Sequence, residues 1–129
     1  MNRLPATITD ITSSTHTILI TADCVDAQID IIALKPFDIA VDEGVFLAFK
    51  SSEVALSKDK TDTTANAIKA TVIEIKKSAI LTNIRLSFGN FTIDSLILSK
   101  KSHNFSINDE LYCHIQPSEI TIIKDEDGV

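Results

Sequence analysis

The chain contains one stretch twice, and that repeat limits its folds more than any other feature. Residues 41–56 read Val41-Asp42-Glu43-Gly44-Val45-Phe46-Leu47-Ala48-Phe49-Lys50-Ser51-Ser52-Glu53-Val54-Ala55-Leu56. Residues 107–122 run Ile107-Asn108-Asp109-Glu110-Leu111-Tyr112-Cys113-His114-Ile115-Gln116-Pro117-Ser118-Glu119-Ile120-Thr121-Ile122. Side by side, Val41 meets Ile107, Val45 meets Leu111, Phe49 meets Ile115 and Val54 meets Ile120. Ser52-Glu53 recurs as Ser118-Glu119, whereas Lys50-Ser51 is replaced by Gln116-Pro117. The likeness extends upstream. Ile68–Ile75 matches Leu4–Ile11, and Ile93-Asp94 falls over Ile29-Asp30. A period of about 65 residues means that one supersecondary unit is built twice.

Each copy reads as about five short strands. In the first, these are Leu4–Ile11, His16–Ala22, Ala27–Leu34, Val45–Phe49 and Glu53–Leu56, with a break at Pro36–Ala40 that suits one helical turn. In the second, Ile68–Ile75, Ala79–Phe88 and Phe91–Leu98 lead to the closing motif. Gly89-Asn90 between Phe88 and Phe91 signals a tight hairpin, because both residues tolerate positive φ. Strand-rich composition agrees, with abundant Ile and Thr and no Trp. Five short strands suggest a small Greek-key barrel of OB type, which closes its own edges. The expected fold is therefore all-β, with two tandem OB-like small β-barrels at 1–57 and 66–124. Residues 58–65 form a polar linker, and 125–129 an acidic tail.

Charge narrows the function. Eighteen acidic against twelve basic residues give a formal charge of −6, which disfavours a nucleic-acid surface built from clustered Lys and Arg. No apolar run approaches the ~20 residues of a membrane span, and no secretory leader is evident, so a soluble cytoplasmic protein is expected. Cys24 and Cys113 follow no metal spacing and sit in strand-like sequence, which predicts buried free thiols. His16, His103 and His114 lack partners at ligand spacing and read as structural or surface residues. Asp30 and Asp94 alternate with Ile and mark a solvent face. No nucleophile–base pattern or phosphate loop appears, and no catalysis is expected.

In order and spacing, the motifs resemble the Mop/TOBE family of molybdate-binding domains. Asn2-Arg3-Leu4-Pro5-Ala6 is similar to the end of the family's opening Ser-x-Arg-Asn segment, and Ile39–Gly44 to its Leu-x-Leu-x-x-Gly segment. Phe49-Lys50-Ser51-Ser52 with Val54 resembles its closing strand. In the second copy Asn66 and Ala70, Phe105 and Ile107, and Ser118 with Ile120 fit the same three places. The resemblance covers nearly the whole chain as two copies. It implies a molbindin-like protein that stores or buffers molybdate or tungstate, with oxyanion sites at subunit interfaces of a homo-oligomer, a dimer or trimer. The residues it points to are Lys50, Ser51, Ser52, Arg3, Asn2, Asn66, Ser118 and Thr63. The departures are specific. The family's anion-contacting Arg falls at Met1 and Ala65, its leading Ser before the first residue and at Thr63, and its mid-domain Thr at Ile32 and Leu96.

Lys50-Ser51-Ser52 has the chemistry such a ligand needs. A tetrahedral dianion is held by convergent hydroxyl and N–H donors for direction and by a cation for charge. The plainer reading of the same tripeptide is a solvated turn between two strands. A second functional reading also stands: a regulatory or oligomerising module that has lost the anion site and acts through protein contacts.

Overall fold

The computed structural model describes residues 1–60 and 65–124. Among these the chain forms β1 (Asn2–Ser13), β2 (Thr17–Cys24), β3 (Ala27–Leu34), β4 (Gly44–Phe49) and β5 (Ala55–Ser57). The second repeat supplies β6 (Asn66–Lys77), β7 (Leu81–Phe88), β8 (Phe91–Leu98), β9 (Glu110–Ile115) and β10 (Thr121–Lys124). Short 3-10 segments occupy Ser51–Glu53, Ser99–Asn104 and Pro117–Glu119. The fold is all-β, as expected, with two curled five-stranded sheets forming two OB-like barrels.

Alternation builds each core. Along β1, Leu4, Ala6 and Ile8 point inward between outward Arg3, Thr7 and Thr9. Along β6, Ile68, Ala70 and Val72 do the same. Ile20, Ile29, Leu47 and Phe49 join the first set, and Ile84, Leu86, Ile93 and Leu111 the second; all are essentially inaccessible. Each such side chain contributes about 1.5–3 kcal/mol relative to an exposed one. Both long strands carry a bulge at the same repeat position, between Ile8 and Asp10 and between Val72 and Glu74. A bulge bends a strand and sharpens its twist, which lets a single strand curve with its sheet.

The sheet orders are β10-β4-β1-β2-β3 and β5-β9-β6-β7-β8. The closing strand of each repeat thus pairs with the other repeat's sheet. Ala55, Leu56 and Ser57 lie opposite His114, Cys113 and Tyr112, and Thr121–Lys124 lie opposite Val45–Ala48. Two compact units result. One comprises Met1–Asn2 with Lys50–Ile115, and the other Arg3–Phe49 with the segment that begins at Gln116. These units do not coincide with the contiguous stretches 1–57 and 66–124 anticipated from the repeat. The turn after β4 has the geometry that this exchange requires, as does the one after β9. Lys50 and Val54 flank Ser51–Glu53 in extended conformation, so the chain is carried onward instead of folding back as a hairpin.

Two smaller expectations also change. Pro36–Ala40 forms no helical turn, whereas Ser99–Asn104 in the second repeat is 3-10. There a buried Thr82–Ser99 hydroxyl pair at 2.8 Å and the Ser102 hydroxyl donating to the Ser99 carbonyl hold the turn. The first repeat has Lys35-Pro36-Phe37 instead, with no hydroxyl and one N–H fewer. The Gly89-Asn90 hairpin forms as anticipated, with Gly89 at φ 59° and Phe88 opposite Phe91. Residues 61–64 of the proposed linker and the 125–129 tail lie outside the described residues.

Candidate oxyanion site

The turn Lys50-Ser51-Ser52 leaves the end of β4, where the buried Phe49 side chain fixes its base. The Glu53 amide donates to the Lys50 carbonyl at 2.9 Å and the Val54 amide to the Ser51 carbonyl at 3.3 Å, closing one 3-10 turn. Lys50 and Ser52 are exposed and Ser51 is half-buried. Among the described residues Lys50 pairs with no carboxylate, and neither serine hydroxyl is engaged in a hydrogen bond. The turn therefore presents a cation and two hydroxyls whose donors are uncommitted. The corresponding turn at Gln116-Pro117-Ser118 has the same 3-10 form but loses the cation, one hydroxyl and, at Pro117, one amide donor.

Asn2 and Asn66 open β1 and β6 at equivalent positions, and both are buried. The Asn2 side chain clasps the backbone of Asp94 on β8: its amide donates to the Asp94 carbonyl at 2.9 Å, and its oxygen accepts the Asp94 N–H at 2.7 Å. The Asn66 amide donates to the Ile115 carbonyl at 3.1 Å. Both asparagines thus serve the backbone. Seven of the expected residues divide by unit: Asn2, Lys50, Ser51, Ser52 and Asn66 belong to the unit containing β6–β9. Arg3 and Ser118 belong to the other. Arg3 stacks over the Phe46 ring, 4.4 Å from its centroid, a cation–π contact that engages its guanidinium. Ser118 is exposed on its turn. Thr63 lies outside the described residues.

Beside Asn2 stands an ion pair that the sequence reading did not anticipate. Arg85 on β7 grips Asp94 with two donors, Nε to Oδ1 at 2.9 Å and Nη2 to Oδ2 at 3.2 Å, and Asn83 reaches Oδ1 at 3.5 Å. The Arg85 hydrogen bond holds the Asp94 carboxyl below the usual range against its partial burial, with help from Asn83 and the N-terminal ammonium. Reading Asp30 and Asp94 together as solvent-face residues is right for exposed Asp30, which accepts from the Thr21 hydroxyl. It fails for Asp94, because the cross-strand register sets Arg85 opposite it, where the first repeat has Thr21 opposite Asp30. That Arg-for-Thr exchange was the available signal.

His114 on β9 meets the Ser57 hydroxyl at 2.7 Å and so ties β5 to β9; burial pushes its pKa down. Cys24 and Cys113 are buried free thiols, in agreement with expectation.

The arrangement as a whole has a counterpart among solved structures. The chain superposes on the cytoplasmic molybdate-binding protein ModG, solved in a form with molybdate bound, with a TM-score of 0.88. It shares the fold of ModG. The match covers 95% of both chains at 14% sequence identity, so the likeness lies in the backbone and little in the side chains. No family model and no curated protein sequence matches the chain.

Proposed function

We propose that this protein binds a small tetrahedral oxyanion of the molybdate or tungstate class, without catalysis, at the Lys50-Ser51-Ser52 turn. The observation that carries the reading is the uncommitted cation and hydroxyls of that turn on a fold shared with a molybdate-binding protein. A charge-assisted hydrogen bond contributes roughly 1.5–3 kcal/mol, and micromolar affinity needs about 8 kcal/mol. Lys50 and two hydroxyls alone fall short, so the proposal includes further donors from a second subunit of a homo-oligomer. Exposed Leu19 and Ile32, directly opposite each other on β2 and β3, with Leu34 beyond them, support such an assembly. Storage or buffering of the anion in the cytoplasm is the role this reading implies.

Isothermal calorimetry with molybdate, tungstate and sulfate tests it, beside Lys50→Ala. The expected result is binding of the two larger anions and at least about a tenfold loss in the variant, the effect of losing one charged hydrogen bond. Absence of heat and of thermal stabilisation at millimolar molybdate would defeat the proposal.

A second reading is favoured by one observation: both arginines are already engaged, Arg3 on Phe46 and Arg85 on Asp94. On that reading the scaffold survives as a regulatory or oligomerising module without its ligand. An oligomer whose mass and stability ignore oxyanions, together with a specific protein partner, would select it.

A further inference from the structure

Ser95 occupies a core position of β8 and is wholly inaccessible. The repeat sets it over Ile31 of β3, which is equally buried. A hydroxyl in a slot that the other copy fills with an aliphatic side chain is costly unless it is bonded. Ser95 Oγ donates to the carbonyl of Val54 at 2.7 Å. Val54 is the residue that caps the Lys50-Ser51-Ser52 turn, and its own side chain is buried. The turn is thereby held from both ends, by Phe49 at its entry and by the Ser95 bond at its exit.

The two repeats differ on this point. At the turn Pro117–Glu119 the capping residue is Ile120, and the position matching Ser95 is Ile31, which has no donor to offer. The copy that keeps Lys50 and Ser51 is thus the copy whose turn is latched, and the copy that has Gln116-Pro117 is the one without the latch. Neither difference follows from the needs of the barrel, since the unit that has Ile31 and Gln116-Pro117 closes without the latch and without the cation.

We infer that Ser95 is a positioning residue, which holds the Lys50 turn in the form that receives the anion; this rests on the function proposed above. Ser95 touches no ligand itself. Its bond fixes the Val54 carbonyl, and through the single 3-10 turn the directions of the Ser51 and Ser52 donors. A tetrahedral oxyanion accepts from fixed directions, so loosening the turn weakens binding while the barrel core stays intact.

The test compares wild-type protein with Ser95→Ala and with Ser95→Cys, which keeps the shape with a slightly larger atom while weakening the donor. Two quantities are read: the molybdate dissociation constant, and amide exchange at Glu53 and Val54 relative to the buried core residues Val72 on β6 and Leu86 on β7. Both variants are expected to speed exchange at Glu53 and Val54 about 3- to 10-fold beyond any change at Val72 and Leu86, the scale of one hydrogen bond. Molybdate affinity should weaken by a similar factor, and molybdate should slow turn exchange in the wild type. Unchanged turn exchange and unchanged affinity in both variants would overturn the inference. So would faster exchange with unchanged affinity, because the latch would then be structural only. If the wild-type protein binds no molybdate, the proposed function fails and the anion role of Ser95 fails with it. Exchange at Glu53 and Val54 then still shows separately whether the latch exists.

Discussion

Val25 and Gly89 hold the same position in the two repeats, the first residue of a two-residue hairpin, and both have left-handed φ, 57° and 59°. Glycine adopts that conformation without steric cost, whereas an L side chain, and a β-branched one above all, does not. Val25 is also half-exposed, so it recovers little by burial. Val25→Gly is expected to stabilise the protein by about 1 kcal/mol after the larger backbone entropy of glycine is allowed for, visible as a higher midpoint in urea. The cysteines make a second prediction at this scale. Burial pushes the Cys24 thiol up to about 11 and the Cys113 thiol up to about 12. Neither should react with a disulfide reagent at pH 8 in the folded protein, and both should react in denaturant. Their burial was legible in sequence, because each sits in an alternating apolar frame. The Arg85–Asp94 pair was not, since it depends on which residues the β7–β8 register brings face to face.

At the scale of the element, the corner before β4 is built the same way as the one before β9. Asp42 and Asn108 have φ of 72° and 74°, and their amides donate to the carbonyls of Ile8 and Val72 at 2.7 and 2.9 Å. The return bonds run from the Ile8 amide to Glu43 and from the Val72 amide to Asp109, both at 2.9 Å. Asp and Asn are among the few side-chain-bearing residues that accept this conformation readily. Replacing either with Ala should cost about 1 kcal/mol, and Gly should be tolerated at both, as measured by chemical denaturation. The short strand β5 supplies a pH-dependent element. Burial pushes the His114 pKa down and so favours the neutral ring beside the Ser57 hydroxyl. Its folded pKa lies below the unfolded value near 6.5, so this contribution is complete above that value. It is lost as pH falls through the lower folded pKa. Stability should therefore decline below about pH 6.5, the ordinary histidine value, and His114→Gln should flatten that decline in thermal melts at stepped pH.

For the whole molecule, the exchange of closing strands makes neither repeat self-sufficient. The segment 1–60 lacks β10, so its β4 edge and the core beneath stay open. The remainder lacks β5. Small barrels bury only a modest share of their surface and tolerate such a loss poorly. The two pieces, expressed separately and divided at residue 60, should each give poorly dispersed amide spectra, and dispersed spectra should appear only after mixing. Independent folding of either piece would contradict the exchange. The same exchange explains why Lys50-Ser51-Ser52, encoded at the end of the first repeat, belongs to the unit built on the second, with Asn66 and Ser95.

The sequence by itself determined the class of fold, the number of strands in each copy, the buried cysteines and the Gly89 hairpin. These follow from alternation and backbone preference, which act over a few neighbouring residues. Tertiary structure alone decided which sheet each closing strand joins, which carboxylate Arg85 meets, and that Arg3 rests on Phe46 of its own unit. The physical reason is range. A repeat specifies two equivalent edges for one kind of strand, and the choice between them rests on pairings between residues far apart in the chain. Ser95 lies between the two cases. Its polarity in an aliphatic slot could be read from the comparison with Ile31, but its partner, the Val54 carbonyl, exists only once that choice has been made.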